Sequence, residues 1–226
     1  VYAISTPPAF QSRLSIDVQP RRARGRPRAD DLADLEQRLI SVGRQAFFRD
    51  GYGATTMDKV AAAARVSKST LYSRFPSKEA LFRAVVQDQI ASWETGANHT
   101  PLTPSNTLED TLGQYGAVWL RAGISSNFVN MTRLMFGESE RFPELGASSK
   151  ASSQLGIQSI ATVIREFAER DGVPCRNPEK AAELFQIMIA GWIYQSVLTN
   201  TVPQLEAGKA WVAQATRVFV AGRAAW

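Results

Sequence analysis

The sequence predicts an all-α protein in which an N-terminal three-helix helix-turn-helix unit is followed by a larger helical domain. Three observations carry this. From Asp31 onward, apolar residues recur every three to four positions, the spacing of one helix face. No segment shows the polar/apolar alternation of a half-buried strand. The periodic stretches are separated by Ser, Thr, Asn, Gly and Pro, which start and stop helices.

Before the first helix lies a segment of a different kind. Residues 1–20 hold three prolines and no sustained periodicity, and read as a flexible leader. Pro20 to Arg28 then carries five arginines in nine residues, interrupted by Gly25 and Pro27, a composition that will not form a helix. Residues 1–30 are therefore expected to be a flexible basic arm. Its Arg24-Gly25-Arg26-Pro27 core resembles an AT-hook, whose extended Arg24 and Arg26 would enter a narrow A·T-rich minor groove.

The first helix runs from about Asp31 through Leu35, Leu39, Val42, Ala46 and Phe47 to a stop at Gly51. Thr55 and Thr56 stand where an N-cap is needed, with Asp58 in the first turn. A short second helix turns Met57, Val60, Ala61 and Ala64 inward, and a tight turn follows at Arg65-Val66. Ser67 caps a third helix from Lys68 to Phe75, with Leu71 and Phe75 on one face and Pro76 as its stop. Ser77 caps a fourth, through Leu81, Val85 and Ile90 toward Trp93.

His99 to Pro104 reads as a linker. Thr107 caps a helix through Leu112, Tyr115 and Trp119, and another covers Phe128 to Phe136. Phe142-Pro143-Glu144-Leu145-Gly146 reads as a break. A long helix through Ile160 and Phe167 ends at Asp171-Gly172. Asn177-Pro178 opens the next, a capping side chain followed by proline at the first helical position, and Pro203 opens the last. These breaks divide the chain into the arm at 1–30, a helix-turn-helix domain at 31–76 and a helical domain at 77–226.

Composition narrows the function classes. Of 226 residues, 44% are hydrophobic and 21% charged, as in ordinary globular proteins. No apolar run approaches the ~18–20 residues of a membrane span, and no secretory pattern is visible at the N-terminus. The single cysteine, Cys175, forms no intrachain disulfide, in agreement with a cytoplasmic location. Residues 1–90 carry 15 Lys/Arg against 9 Asp/Glu, and residues 91–226 carry 11 against 12. The net charge of +5 thus belongs to the N-terminal part, which points to an anionic partner there.

Enzymatic chemistry finds little support. His99 is the one histidine and sits in a loop. No His/Cys cluster has metal-ligand spacing, and neither a Gly-x-Ser-x-Gly elbow nor a phosphate-binding Gly-rich loop is present. No cofactor or metal is expected.

Two short helices joined by a tight turn and packed on a first helix hold the third outward, where a B-DNA major groove accepts it. The outward residues of that helix, Lys68, Ser69, Thr70, Tyr72 and Arg74, are all hydrogen-bond donors and none is acidic. Lys78, with the free N–H groups opening the fourth helix, offers a phosphate site.

Ile40, Phe47, Gly51-Tyr52, Thr55-Thr56, Val60-Ala61, Val66 to Tyr72 and Phe75 through Leu81 closely resemble the DNA-binding region of TetR-family regulators. The resemblance implies a homodimer that binds double-stranded operator DNA and answers to a small-molecule effector, with repression the commoner outcome. It adds Thr56 as a backbone contact and places Ser67 in the same DNA-facing surface. One departure is Arg65, where the family commonly has glycine. The C-terminal part matches in length and helical character only. There the pocket candidates are Trp93, Tyr115, Trp119, Phe128, Met131, Met135, Phe167, Met188 and Trp192; few charges in these helices suggest an apolar or aromatic ligand. The last two helices are the candidate four-helix dimer interface, through Ala190, Trp192, Trp211, Ala215 and Phe219, against the alternative that these side chains fill the intrachain core. Two other readings stand beside this one: a weakly specific architectural DNA binder led by the basic arm, and a helical small-molecule-binding protein or enzyme with a vestigial DNA domain.

Overall fold

Helices follow one another at the spacings the caps dictate. The computed structural model describes residues 29–98, 102–199, 201 and 204–226. The arm with Arg24 and Arg26, and the positions of His99 and Pro203, lie outside the described residues. In order come α1 (Ala29–Ala54), α2 (Met57–Ala64), α3 (Lys68–Arg74), α4 (Lys78–Asn98), α5 (Leu108–Gly123), α6 (Ser126–Gly137), α7 (Pro143–Asp171), α8 (Pro178–Leu198) and α9 (Leu205–Ala221). A short 3-10 turn at Arg223–Ala225 follows, and the described residues contain no strand.

The anticipated caps act on the backbone. The hydroxyls of Thr56, Ser67, Ser77 and Thr107 and the amide oxygen of Asn177 each accept the N–H three residues on, from Lys59, Thr70, Ala80, Asp110 and Lys180. Thr55 has a different task from Thr56. At Gly51 the backbone leaves helical geometry (φ 75°, ψ 169°). Thr55 is buried and its hydroxyl donates to the carbonyls of Gly51 and Ala46, at 2.7 and 3.3 Å. It thereby satisfies acceptors at the helix end that burial would otherwise leave costly.

One expected break is a beginning. Pro143 is the first residue of α7, so the segment Phe142 to Gly146 opens this helix instead of interrupting the pattern. Proline suits that position because its missing N–H is unneeded in the first turn.

Two cores result. The first gathers α1 to α4 around Phe47, Leu71, Leu81, Phe82 and Val85, and also takes in Met131 of α6 with Phe142 and Leu145 at the start of α7. The second joins α5, α7, α8 and α9 through Leu112, Leu120, Ile160, Ile164, Phe185 and Ile193. Thus α4 packs in the first core as far as Ile90, and Trp93, further along, packs against that core and also lines a cavity. No described helix is long and apolar enough to cross a membrane.

Candidate functional site

Leu71 and Phe75 anchor α3 in the first core, at 0% and 5% exposure, and this anchoring fixes which way the rest of the helix points. Lys68, Ser69, Tyr72 and Ser73 are exposed, with Thr70 and Arg74 half-buried. Tyr72 is 45% exposed, unusual for so large a ring. Ser67, exposed at the helix start, shares its hydroxyl with those of Ser69 and Thr70 at 2.8 and 2.7 Å. Thr56 is likewise exposed at the start of α2.

Lys68 bonds Asp58 of α2 at 2.6 Å. That bond, with the attraction of the carboxylate, raises the lysine above its ordinary range and keeps it cationic. Exposed pairs of this kind are readily exchanged for another anion.

The α2–α3 turn closes as the sequence departure requires. Arg65 takes left-handed geometry (φ 55°, ψ 44°), the one such non-glycine residue among those described. Its N–H bonds the Ala62 carbonyl and that of Val66 bonds Ala61, at 3.1 and 3.0 Å. This is a Schellman closure, held here against the strain of a side chain in that region, about 1 kcal/mol. Arg65→Gly is therefore expected to raise stability by about 1 kcal/mol, read as the shift in urea midpoint; a variant less stable than the parent would show that Arg65 makes compensating contacts.

Lys78 differs from the expectation. Its ammonium donates to the carbonyls of Tyr52, Gly53 and Thr55 at 2.8, 3.2 and 3.0 Å, and stands 4.4 Å from the Tyr52 ring centre. All three donors are thus spent on the end of α1, where the break at Gly51 frees acceptors. The Tyr52 phenol donates to Glu79 at 3.0 Å. Burial, then this bond to Glu79, pushes the phenol up. The N–H of Glu79 itself, the Ser77 hydroxyl and the Tyr52 phenol hold the Glu79 carboxyl below its usual range. Lys78→Met is expected to cost about 2 kcal/mol in folding without changing the salt dependence of nucleic-acid binding. A smaller slope with unchanged stability would return Lys78 to a phosphate contact.

Helices α4 to α8 border a cavity of about 750 Å³ that opens to the surface past the exposed Phe136, Leu155, Ile187 and Tyr194, its volume within the usual range for small-molecule sites. Of the nine expected pocket residues, Trp93, Trp119, Phe128 and Met135 line it. Trp93 and Phe128 meet there with ring centres 4.8 Å apart. The other five do not line it, because each packs into a core. Met131 is fully buried in the first. Phe167 is buried in the second, and Tyr115, Met188 and Trp192 pack against it. The expectation missed Phe136, Phe142 and Tyr194, and a polar side formed by Thr132, Ser149 and Ser152. Ser149, Ser152, Ser153 and Gly156 all line the cavity, at the i, i+3, i+4, i+7 spacing of one helix face. A search for polar as well as apolar periodicity would have found them.

A buried polar junction stands beside the cavity. Gln89 of α4, 1% exposed, accepts from Asn127 of α6 at 2.6 Å and from Arg44 of α1 at 3.3 Å. Three helices are tied at one amide, next in sequence to Phe128 of the cavity wall.

The interface candidates divide. Ala215 and Phe219 lie in the second core, at 5% and 7% exposure, so they are not surface contacts: their face of α9 turns toward α5 and α8. Trp192 packs inward as well, and Ala190 lines the cavity. Trp211 is exposed, its indole N–H donating to the Met188 carbonyl at 2.9 Å. The outward apolar stripe runs instead through Leu184, Ile187 and Leu198 on α8 and Trp211 and Val218 on α9. No described residues form a group of three or more His, Cys, Asp or Glu able to hold a metal ion.

Two family models match the chain: bacterial regulatory proteins of the tetR family over residues 39–85, and the C-terminal domain of AefR-like transcriptional repressors over residues 110–222. The chain is 39% identical over 69 residues to the DNA-binding transcriptional repressor TetR of Mycobacteroides abscessus, covering 28% of this chain and 36% of that one. It spans about a third of the length of such curated relatives. Among solved structures, it is similar to the flavonoid-responsive regulator FrrA, with 27% identity, a TM-score of 0.65 and coverage of 84% and 97% of the two chains. A TetR family transcriptional regulator from Pseudomonas syringae is 25% identical, with a TM-score of 0.61 and coverage of 82% and 94%.

Proposed function

This chain belongs to the TetR family of bacterial regulatory proteins, and on that premise we propose that it is a sequence-specific DNA-binding transcription repressor, homodimeric and released from its operator by a small apolar or aromatic effector. The observation that carries the reading is the outward face of α3. Lys68, Ser69, Thr70, Tyr72 and Arg74 stand on a helix whose opposite face is locked in the core, and all of them donate. Donors read the acceptor-rich major-groove edge of guanine and contact phosphates. Thr56 and Ser67 add backbone contacts at two helix starts.

On this reading residues 31–76 dock on DNA and residues 77–226 hold effector and partner. The exposed stripe on α8 and α9 supports pairing of two copies, and their two α3 helices would then lie about one DNA turn apart. The effector would act through α4, which packs Leu81 and Val85 beneath the DNA-binding unit and presents Trp93 to the cavity. Linkage makes the effect reciprocal: operator weakens effector binding by the factor with which effector weakens operator binding. The flavonoid response named for a relative of similar fold supports an aromatic effector.

Site selection from a random duplex pool by the full chain is expected to return a palindrome with half-site centres about 10–10.5 bp apart. A pool that stays unenriched would remove the proposal. Deleting residues 1–28, with Arg24 and Arg26, is expected to weaken binding while leaving the site preference. The slope of log affinity against log salt should fall by about 0.9 for each phosphate that the shortened chain no longer neutralises. Complete loss of binding would favour the architectural reading.

A further inference from the structure

We propose that the cavity takes a flat, uncharged aromatic molecule carrying hydroxyl or carbonyl oxygens, gripped between an aromatic wall and a row of protein hydroxyls. This rests on the cavity being the effector site and names the chemistry of its ligand.

The polar side of the cavity carries the inference. Thr132 lines it from α6, is only 6% exposed, and its hydroxyl has no hydrogen-bond partner among the described residues. Among the described residues no buried side-chain oxygen or nitrogen lacks a partner, so this hydroxyl is not sealed off: it opens to the cavity, where a bound group can replace water as its partner. Ser149 and Ser152, half-buried on α7, also line the cavity without a partner among the described residues. Their neighbour Ser153 is by contrast spent on the Lys150 carbonyl at 2.8 Å. Ser149 and Ser152 stand three residues apart on one helix face, so their side chains are about 5–6 Å apart. Tyr194 adds a phenol from α8. Burial raises that phenol, which keeps it a neutral donor.

The remaining walls narrow the class of ligand. Trp93, Trp119, Phe128, Phe136 and Phe142 line it with aromatic rings, which favour a flat ring over a flexible chain. Glu138 faces Arg141 at 3.7 Å, and Lys150 stands exposed at the edge. Glu94 of α4, half-buried, also lines the cavity, so an anionic ligand meets carboxylates and no buried cation, while an uncharged one meets four hydroxyls. Its volume of about 750 Å³ accommodates two or three fused or linked rings.

Calorimetric titration of the full chain with apigenin (a trihydroxyflavone), unsubstituted flavone and dodecanoate tests the proposal. Apigenin is expected to bind at least about tenfold tighter than flavone, since each hydroxyl pair satisfied contributes roughly three- to tenfold. In the Thr132→Val, Ser149→Ala, Ser152→Ala variant, apigenin is expected to fall to the level of flavone while flavone itself is unchanged. Thermal melting of the variant confirms that it folds. Flavone or dodecanoate binding as tightly as apigenin, no binding by any of the three, or a triple variant that keeps its preference would each overturn the proposal. Gly156→Leu, which adds bulk to the lining beside Trp119, separates this failure from that of the effector site. If flavone or dodecanoate is the tight ligand and is lost in Gly156→Leu, the site stands and only its chemistry is wrong. If a probe binds Gly156→Leu unchanged, the cavity is not the site.

Discussion

Phe142→Ala is expected to lower the stability of the protein by about 3–5 kcal/mol, the range for deleting a buried phenylalanine side chain. Phe142 is 2% exposed although it precedes the first turn of α7 and stands in sequence far from the helices it packs on. Its ring meets Tyr52 edge-on at 5.4 Å and Phe82 at 4.8 Å, and the Arg83 guanidinium lies 5.1 Å from its centre. Phe47 completes the cluster, 5.8 Å from Tyr52 and 5.3 Å from Phe82. Phe142 also lines the cavity. One ring therefore belongs both to the core beneath α3 and to the cavity wall. The Arg83–Glu144 pair, at 2.7 Å, spans the same junction from α4 to α7. Phe142→Leu retains part of the volume and should cost clearly less. Urea midpoints of the three proteins measure this; a loss below about 1 kcal/mol for alanine would mean that the neighbouring rings collapse into the space.

The second large effect is on DNA. Lys68→Ala with Tyr72→Ala is expected to reduce affinity for a selected operator by about a hundredfold or more, each specific contact being worth roughly 1–3 kcal/mol. Folding stability should change by no more than about 1 kcal/mol, because both side chains are exposed and the only bond lost is the surface Lys68–Asp58 pair. The pairing of a large binding loss with a small stability loss is what identifies a reading face. Equal losses in both would make Tyr72 a structural residue, and an unchanged affinity would place recognition elsewhere on the surface.

Helix starts were legible because a cap acts within three residues. Thr56, Ser67, Ser77, Thr107 and Asn177 can be paired with their N–H partners from sequence alone. The break at Gly51 and the left-handed turn at Arg65 are similarly local. What sequence could not resolve depends on how helices rotate against one another. Met131 and Met135 lie four apart on α6, yet one is sealed in the first core and the other faces the cavity. On α9, apolar residues occupy both faces. Val212, Ala215 and Phe219 turn inward and Trp211 and Val218 outward, so composition gave no means of separating core from interface. The role of Lys78 was hidden for the same reason: its acceptors are 23 to 26 residues away. Proline at position 143 was ambiguous because the same residue ends one helix and begins another.

The most direct test is the affinity of the full chain, at one salt concentration of about 0.15 M, for a selected palindrome and for a scrambled duplex of the same composition. The expected ratio is about a thousandfold or more, with a shallower salt dependence than counterion release alone would give for the palindrome. Near-equal affinities with the same salt slope would contradict sequence-specific recognition by α3.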